Sequence, residues 1–495
     1  MTVDHKLPEQ CDILIVGGGP AGLAAAIEAA GRGLHVVLVD ENPGFGGQLI
    51  RQIHKFFGSS FHYAGVRGFC IADMLSREAS EAGCLMVPEC RVLGLLRDGR
   101  VALSLRGAAS ALRAKRILLA VGGKEHGLPF PGWTLPGVMT AGAAQTLCNL
   151  HHLLPGRHVL MVGSGNVGLI VSYQLMQAGA CIAAIVDTAD RIGGYAVHAA
   201  KLQRAGVPFI LGAQIQEAIG LKSVQRVNIG IRSTGEHLSI DADAVLLATG
   251  LSPRTELASM FGCELTYEPR LGGHFPRHDD TMRSSVSHVF VAGDSAGVEE
   301  AATAIEEGRL AALSMAFDIG GAHCGDEKAR DEIRSRLKAF RNRKASSGKE
   351  KQNCSAAATS LGLLRYPVFE CAENIACNPC ADACPAGAIT VETITSLPVV
   401  DYSRCTGCMR CLSVCPGQAV FMVDRRGSLT LAWEYLPVPS VGQKVILCGP
   451  SGEALGTGEI TACRRDVGDK TMLVTLSMDP SLVDRVRSFR RCDDE

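Results

Sequence analysis

Residues 11–40 read CDILIVGGGPAGLAAAIEAAGRGLHVVLVD. An apolar run meets a cluster of glycines, an Ala-rich stretch follows, and a second apolar run closes it. That order predicts a buried strand, a tight turn, a helix and a second strand, which is one βαβ unit at the start of a doubly wound α/β sheet. Gly17, Gly19 and Gly22 have the Gly-x-Gly-x-x-Gly spacing between strand and helix. The first glycine permits the turn, the second lets backbone approach a pyrophosphate, and the third lets helix and strand pack closely. The helix N-terminus adds N–H groups and the positive end of a dipole. Asp40 ends the second strand and can accept from a ribose, with Glu41 as the alternate. The bland alternative is a glycine turn in an empty fold of the same kind.

The pattern returns about 146 residues later in RHVLMVGSGNVGLIVSYQLMQAGACIAAIVD, residues 157–187. Gly163, Gly165 and Gly168 keep the spacing, and Asp187 ends the second strand. An acid there disfavours a 2′-phosphate, so the second site suits NAD(H) or another adenine nucleotide, unless it persists only as scaffold. DAVLLATG, ending at Gly250, and VSHVFVAGD, residues 286–294, are further strands, and the Ala-rich segment from Glu299 is a helix. The Pro/Gly-rich residues 128–138 suit a crossover between domains. Strand signals after residue 250 predict that the second Rossmann-like domain, 126–249, is inserted in the first, 1–125 and 250–325. A charged helix and a polar linker then span 326–365, a cysteine-rich module 366–428, and a small antiparallel β module 429–495.

The 495 residues suffice for about three domains, or four small ones. Hydrophobic residues make up 47% and charged residues 20%, which supports more than one core and excludes a disordered chain. With 49 Lys plus Arg against 50 Asp plus Glu, the chain has no overall charge to recruit nucleic acid or an anionic membrane. The polar start MTVDHKLPEQ lacks the features of a signal peptide, and no apolar run is long enough to span a bilayer. Twenty cysteines then point to metal in a reducing cytoplasm rather than to disulfides.

Eight of the twenty fall between Cys371 and Cys415. Cys405-x2-Cys408-x2-Cys411-x3-Cys415-Pro416 has the spacing of a bacterial ferredoxin run, in which three thiolates of one loop hold a [4Fe–4S] cube and the fourth serves the other cluster. Upstream, Cys371-x5-Cys377-x2-Cys380-x3-Cys384-Pro385 repeats it with a longer first gap. The assignment is Cys405, Cys408, Cys411 and Cys384 for one cluster, and Cys371, Cys377, Cys380 and Cys415 for the other. Two structural zinc sites would account for the Cys-x-x-Cys pairs but not for the paired Cys-Pro endings.

No Cys-x-x-Cys or Cys-x4-Cys precedes residue 371, which argues against a disulfide relay. Cys11, Cys148 and Cys181 lie in apolar segments and read as core thiols. His54, His62, His151 and His152 read as structural or exposed rather than as ligands. The run from Arg336 to Lys351 reads as a solvated linker, and Glu299 and Glu300 as acids that suit a helix start.

Residues 11 to about 320 resemble the two-dinucleotide-domain flavoproteins of the glutathione-reductase superfamily. GGGPAG, with Pro20 and Ala21 inside it, and Asp40 match its FAD fingerprint. AVGG at 120–123, including Gly122, and ATG at 248–250 match the strand ends where the chain crosses between domains. VFVAGD matches the second FAD motif, which implies that Gly293 and Asp294 meet the ribityl chain. FGGQL at 45–49, with Gly47 and Gln48, and PFPGWTLPGVMTAGAAQ at 129–145 look like the α subunits of multi-subunit amino-acid and opine dehydrogenases. That group takes in hydrogen cyanide synthase, proline or hydroxyproline dehydrogenases and part of the sarcosine oxidase α chain.

The resemblance implies an FAD-dependent iron–sulfur oxidoreductase subunit with two [4Fe–4S] clusters. Its expected partner is an FAD-containing, D-amino-acid-oxidase-like β subunit that oxidises the amine, with a small iron–sulfur subunit or a ferredoxin as further partners. No catalytic acid or base is expected in this chain, since hydride transfer to a flavin needs none from it. Two rivals stand beside this reading. One is a self-sufficient NAD(P)H:ferredoxin-type oxidoreductase, and the other a non-catalytic scaffold subunit that bears cofactors.

Overall fold

The computed structural model describes residues 7–341, 361–465 and 470–491. Most of the linker expected after the charged helix, residues 343–360, lies outside them. The chain forms two compact units.

In the first unit, Leu85–Val87, Val36–Val39, Gln10–Val16 and the second half of Ala108–Leu119 lie side by side in a parallel sheet, with Val289–Val291 paired in parallel alongside Ile117, Leu118 and Leu119. Val36–Val39 and Val289–Val291 are buried throughout, as expected for strands covered on both faces. The first half of Ala108–Leu119 turns away into an antiparallel meander with Val101–Leu105 and Cys90–Leu95. Helix Pro20–Ala30 packs on helix Ala301–Asp318. Their contact is backbone on backbone, because a β-carbon on Gly308 would lie 2.0 Å from the carbonyl oxygen of Ala21. The chain leaves this unit after Glu125 and returns at Gly250. The exit and re-entry strands, Gly123–Glu125 and Leu251–Pro253, pair antiparallel.

The second unit opens with the same plan. Phe209–Ile210, Cys181–Val186, His158–Val162, Ala244–Leu247 and Val138–Thr140 make a parallel sheet in that order. Ala213–Ile219, Arg226–Ile231 and His237–Asp241 form its antiparallel meander. His54–Gly65 belongs to this unit, although its sequence position lies within the first Rossmann-like segment. The reason is local: Gly58 bridges to Cys377, and its carbonyl accepts from Asn378 N at 3.0 Å.

The C-terminal β region is larger than its sequence suggested. Seven antiparallel strands run in the order Arg365–Phe369, Val420–Asp424, Ser428–Trp433, Met472–Ser477, Ala454–Arg465, Lys444–Cys448, Ser488–Arg491. The first two strands flank the cysteine block, so that block is a long excursion from one edge of the sheet. A single core joins them, in which Tyr366, Tyr402 and Phe421 pack with Leu431, Val474 and Phe489.

Two further expectations need correction. Cys181 is exposed, because it opens its strand before the buried alternation begins. Arg336 and Arg341 are not solvated linker; they lie on helix Asp326–Arg341 and bond to buried acids of helix Ala301–Asp318. Gly308→Ala should lower the melting temperature well beyond Gly44→Ala, since no atom lies within 4 Å of a β-carbon at Gly44. Overpacking of this kind costs about 1–3 kcal/mol, and thermal denaturation of the two variants checks it.

Candidate functional site

In the first unit the glycine turn leaves no room for side chains at two of its three positions. A β-carbon on Gly17 would lie 2.3 Å from the carbonyl oxygen of Ala120, and one on Gly22 would lie 1.9 Å from that of Gly17. Gly17 also has φ +104°, a conformation that favours glycine. Gly19 is different, with only the Cα of Gly47 at 4.0 Å. Pro20 occupies the first turn of the helix, and no side chain caps its N-terminus. The turn therefore presents open backbone beside unclaimed helical N–H groups, a fit for a pyrophosphate.

Asp40 is buried, and both its oxygens serve the fold. Oδ2 accepts from Gly18 N at 2.7 Å, and Oδ1 from the backbone and side-chain nitrogens of Asn42, both at 2.8 Å. Glu41 is the exposed acid at this strand end, paired with Arg91 at 3.1 Å and Arg254 at 3.5 Å. Gly46 N donates to Gly18 O at 2.7 Å, which seats Gly47 against Gly19 and leaves Gln48 exposed in the short helix Gly47–Arg51. Gly122 has φ +73° and faces open space, while a β-carbon on Gly123 would lie 3.5 Å from that of Asp294. A β-carbon on Gly293 would lie 3.0 Å from that of Ala21. The first glycine turn, the exit strand and the VFVAGD strand thus converge on one place.

Behind it lies a group of acids, of which the sequence reading singled out Asp294, Glu299 and Glu300 but not Glu306 and Glu307. Burial, with the neighbouring Glu299 charge, pushes the Asp294 carboxyl up to about 6, while a bond from the Glu299 backbone opposes the shift. Burial also pushes Glu300 up to about 7. Glu307 accepts from Gly293 N at 2.7 Å and from Arg341, and burial pushes it up to about 8 despite the arginine. Glu306 accepts from Arg336 at 2.8 and 3.1 Å. Arg341 also holds Glu299 at 2.7 Å, so Glu299 does more than suit a helix dipole. The available signal was two adjacent acids, Glu306 and Glu307, inside an otherwise Ala/Leu-rich helix that had to bury one face.

The second glycine turn repeats the first. β-Carbons on Gly163 and Gly168 would lie 2.3 Å from Ala248 O and 2.1 Å from Gly163 O, while Gly165 faces open space. Asp187 Oδ2 accepts from Ser164 N at 2.7 Å and Ser164 Oγ at 2.6 Å, the place Asp40 takes in the first turn. Gly194 N donates to Ser164 O at 2.9 Å, as Gly46 does to Gly18. Helix Asn166–Gln177 has no side-chain cap. Its open glycine and acid-anchored turn fit an adenine nucleotide.

In the cysteine block, each short helix carries a third cysteine and ends ahead of the fourth. Cys380 lies in Pro379–Asp382 before Cys384, and Cys411 in Arg410–Val414 before Cys415. The two helices pack together. Cys371, Cys377, Cys380 and Cys415, drawn from both runs, line one cavity with Phe57 and Val197. Burial, reinforced by Cys415, Cys380 and Cys371, pushes the Cys377 thiol up, and burial with Cys415 pushes Cys380 up to about 12. Cys405 and Cys408 are electrostatic neighbours of Cys411, and Cys408 is exposed. Cys384 Sγ accepts from Ala388 N at 3.3 Å. No group of three or more His, Cys, Asp or Glu among the described residues is arranged to hold a single metal ion. Four cysteines around one cavity would, as thiolates, be the donor set of an iron–sulfur cube, which spans more than one ion. The histidines take structural places: His54 bonds Gln174 at 3.1 Å, His62 bonds Ser59 at 2.9 Å, and His151 and His152 are exposed.

Two dinucleotide turns of one build, followed by paired cysteine runs, define an iron–sulfur flavoprotein oxidoreductase. Residues 11–308 match the family described as pyridine nucleotide-disulphide oxidoreductase, and residues 375–420 match the 4Fe-4S dicluster domain. The chain belongs to that oxidoreductase family. It is 32% identical over 349 residues to one of the subunits of opine oxidase from Agrobacterium tumefaciens (strain Ach5), covering 64% of this chain and 68% of that one. Hydrogen cyanide synthase subunit HcnB of Pseudomonas aeruginosa is 32% identical over 330 residues, covering 61% and 70%. The fold is shared with T. acidophilum thioredoxin reductase, at TM-score 0.52 and 22% identity over 63% of this chain and 99% of that one. It is shared also with L-proline dehydrogenase from P. horikoshii, at TM-score 0.50 and 22% identity over 67% and 61%. Among the described residues no helix is long and apolar enough to cross a membrane.

Two outcomes follow from this geometry. Gly17→Ala should yield protein without bound flavin, read from the ratio of visible to ultraviolet absorbance. Cys371→Ser should halve the iron and labile sulfide, whereas Cys181→Ser at the exposed strand start should leave both at the wild-type level.

Proposed function

We propose that this chain is the electron-relaying iron–sulfur flavoprotein subunit of an amine or amino-acid dehydrogenase complex. The observation that carries the reading is the cavity lined by Cys371, Cys377, Cys380 and Cys415, in a chain whose first 308 residues carry the dinucleotide folds. A bound flavin exchanges two-electron for one-electron chemistry, and [4Fe–4S] clusters pass single electrons.

The chain's own residues bind and orient. Gly17, Gly19, Pro20, Ala21 and Gly22 cradle the FAD pyrophosphate, and Gly47, Gln48 and Gly122 line the same cradle. Asp40 holds the turn through Gly18 and accepts from the ribose, with Glu41 as the alternate acid. Gly293 and Asp294 meet the ribityl chain, and the ionised Asp294 carboxylate accepts from a ribityl hydroxyl. Gly163, Gly165, Gly168 and Asp187 take NAD(H) or another adenine nucleotide. Cys371, Cys377, Cys380 and Cys415 hold one cluster; Cys384, Cys405, Cys408 and Cys411 hold the other. The amine is oxidised on a D-amino-acid-oxidase-like β subunit with its own FAD, and a small iron–sulfur subunit or a ferredoxin receives the electrons. Cysteines kept as thiols suit a cytoplasmic complex. Relatives named as subunits of opine oxidase and hydrogen cyanide synthase support the assignment.

A second reading has an observation in its favour. The second glycine turn is built as fully as the first, including the acid-anchored Ser164, as a working nicotinamide site in a self-sufficient reductase would require. Anaerobic addition of NADH, then NADPH, to the purified chain separates the two. No bleaching of the flavin until the β subunit is supplied with its amine substrate is the expected result. Rapid bleaching by NADH alone overturns the relay reading in favour of the reductase, and a flavin that no donor or partner reduces leaves a scaffold.

A further inference from the structure

Helix Ala196–Arg204 places Val197, Lys201 and Arg204 at i, i+4 and i+7, on one face. All three are buried, Lys201 at 4% and Arg204 at 8% exposure. That face lies along the turn after Cys415. Val197 packs against Gly417, Lys201 Nζ donates to the carbonyl of Pro416 at 2.7 Å, and Arg204 Nη2 donates to that of Gln418 at 3.2 Å. A third buried cation, Lys55, donates to the carbonyl of Ser413 and to Thr471 Oγ1. Carbonyls on both sides of Cys415 are therefore tied to cations removed from water. The ionisable neighbours that act electrostatically on Arg204 are Tyr435, Glu370, Tyr173 and Cys415.

Glu370 accepts from Arg487 at 2.6 Å, and Glu434 accepts from Tyr173 at 3.2 Å and Gln177 at 2.8 Å. Glu373 accepts from Ala196 N at 2.7 Å, at the start of the helix. Lys201 also lies over the Tyr173 ring, and Tyr435 OH donates to the Lys201 carbonyl. Burying cations costs several kcal/mol each unless an anion answers them. A cube held by thiolates beside them is an anion, and one-electron reduction adds one negative charge to it. Buried positive charge favours the reduced form, and net charge and hydrogen bonding near the sulfurs set cluster potentials.

We propose that Lys201 and Arg204 are positioning residues for electron transfer: their charges, fixed beside Cys415, raise the reduction potential of the cluster held by Cys371, Cys377, Cys380 and Cys415. The inference rests on that ligand assignment. The test is an anaerobic titration of the full chain, with dithionite supplying the electrons and electron paramagnetic resonance resolving the two clusters. Lys201→Met and Arg204→Met should move one cluster to a more negative potential and leave the other in place, with iron content unchanged. Arg204→Lys and Lys201→Arg, which keep the charge, should stay near wild type. Lys201→Gln, which keeps a donor for Pro416 but not the charge, serves if the Met variants lose iron, and should show the same negative shift. Unshifted potentials in charge-deleted variants with full iron overturn the proposal while leaving the ligand assignment intact. Full iron in Cys415→Ser overturns the ligand assignment and the proposal with it.

Discussion

The carbonyl oxygen of Gly17 stands where a β-carbon on Gly22 would have to go, 1.9 Å away, and the carbonyl of Ala120 stands 2.3 Å from the β-carbon position of Gly17. Neither neighbour is a side chain that could rotate aside. Strand, helix and next strand can approach this closely only while both positions stay glycine. The same pair of contacts recurs at Gly163, Gly168 and Ala248. The middle glycine then faces outward in each turn, and the strand-end acid is drawn in to hold the turn by its second residue. The acids that looked like ribose ligands, Asp40 and Asp187, are first of all part of the turn.

Equal turns are set in different surroundings. In the first unit, helix Ala301–Asp318 brings buried Glu306 and Glu307 behind the VFVAGD strand, and helix Asp326–Arg341 answers them with Arg336 and Arg341. In the second unit, the element after the Gly193-Gly194 loop is helix Ala196–Arg204, and its buried face carries cations. One polar support is built from acids that meet an arginine-bearing helix, the other from cations that meet backbone carbonyls. A duplicated scaffold has therefore been adapted by what packs on it, while its nucleotide turns kept their form.

Much of this was legible in the sequence, because the signals were local. The βαβ units declare themselves through apolar runs and glycine spacing, and the 4Fe-4S dicluster domain at 375–420 through cysteine gaps of two and three residues. What escaped notice depended on distant partners. Nothing near Asp40 says that Gly18 and Asn42 will use both its oxygens. Arg336 and Arg341 look solvated until their helix lies against Glu306 and Glu307. The strands Arg365–Phe369 and Val420–Asp424 pair with each other across the whole cysteine block, and antiparallel partners fifty residues apart leave no periodic mark. Cys181 misled for a simpler reason: one apolar residue at a strand's first position lies outside the buried alternation.

The excursion of the cysteine block from a sheet edge also bears on how a cluster is held. Burial and neighbouring cysteines push the thiols of the partly buried Cys377 and Cys380 up, so binding of a cluster there would have to supply the energy that deprotonates them. That energy is useful only if the thiols are already gathered. Two strands of a well-packed sheet fix the ends of the block, Gly58 pins Cys377 through the backbone, and the carbonyls around Cys415 are tied to Lys55, Lys201 and Arg204. Cys371 sits two residues beyond the end of the strand Arg365–Phe369, which places it by the sheet rather than by the cysteine loop.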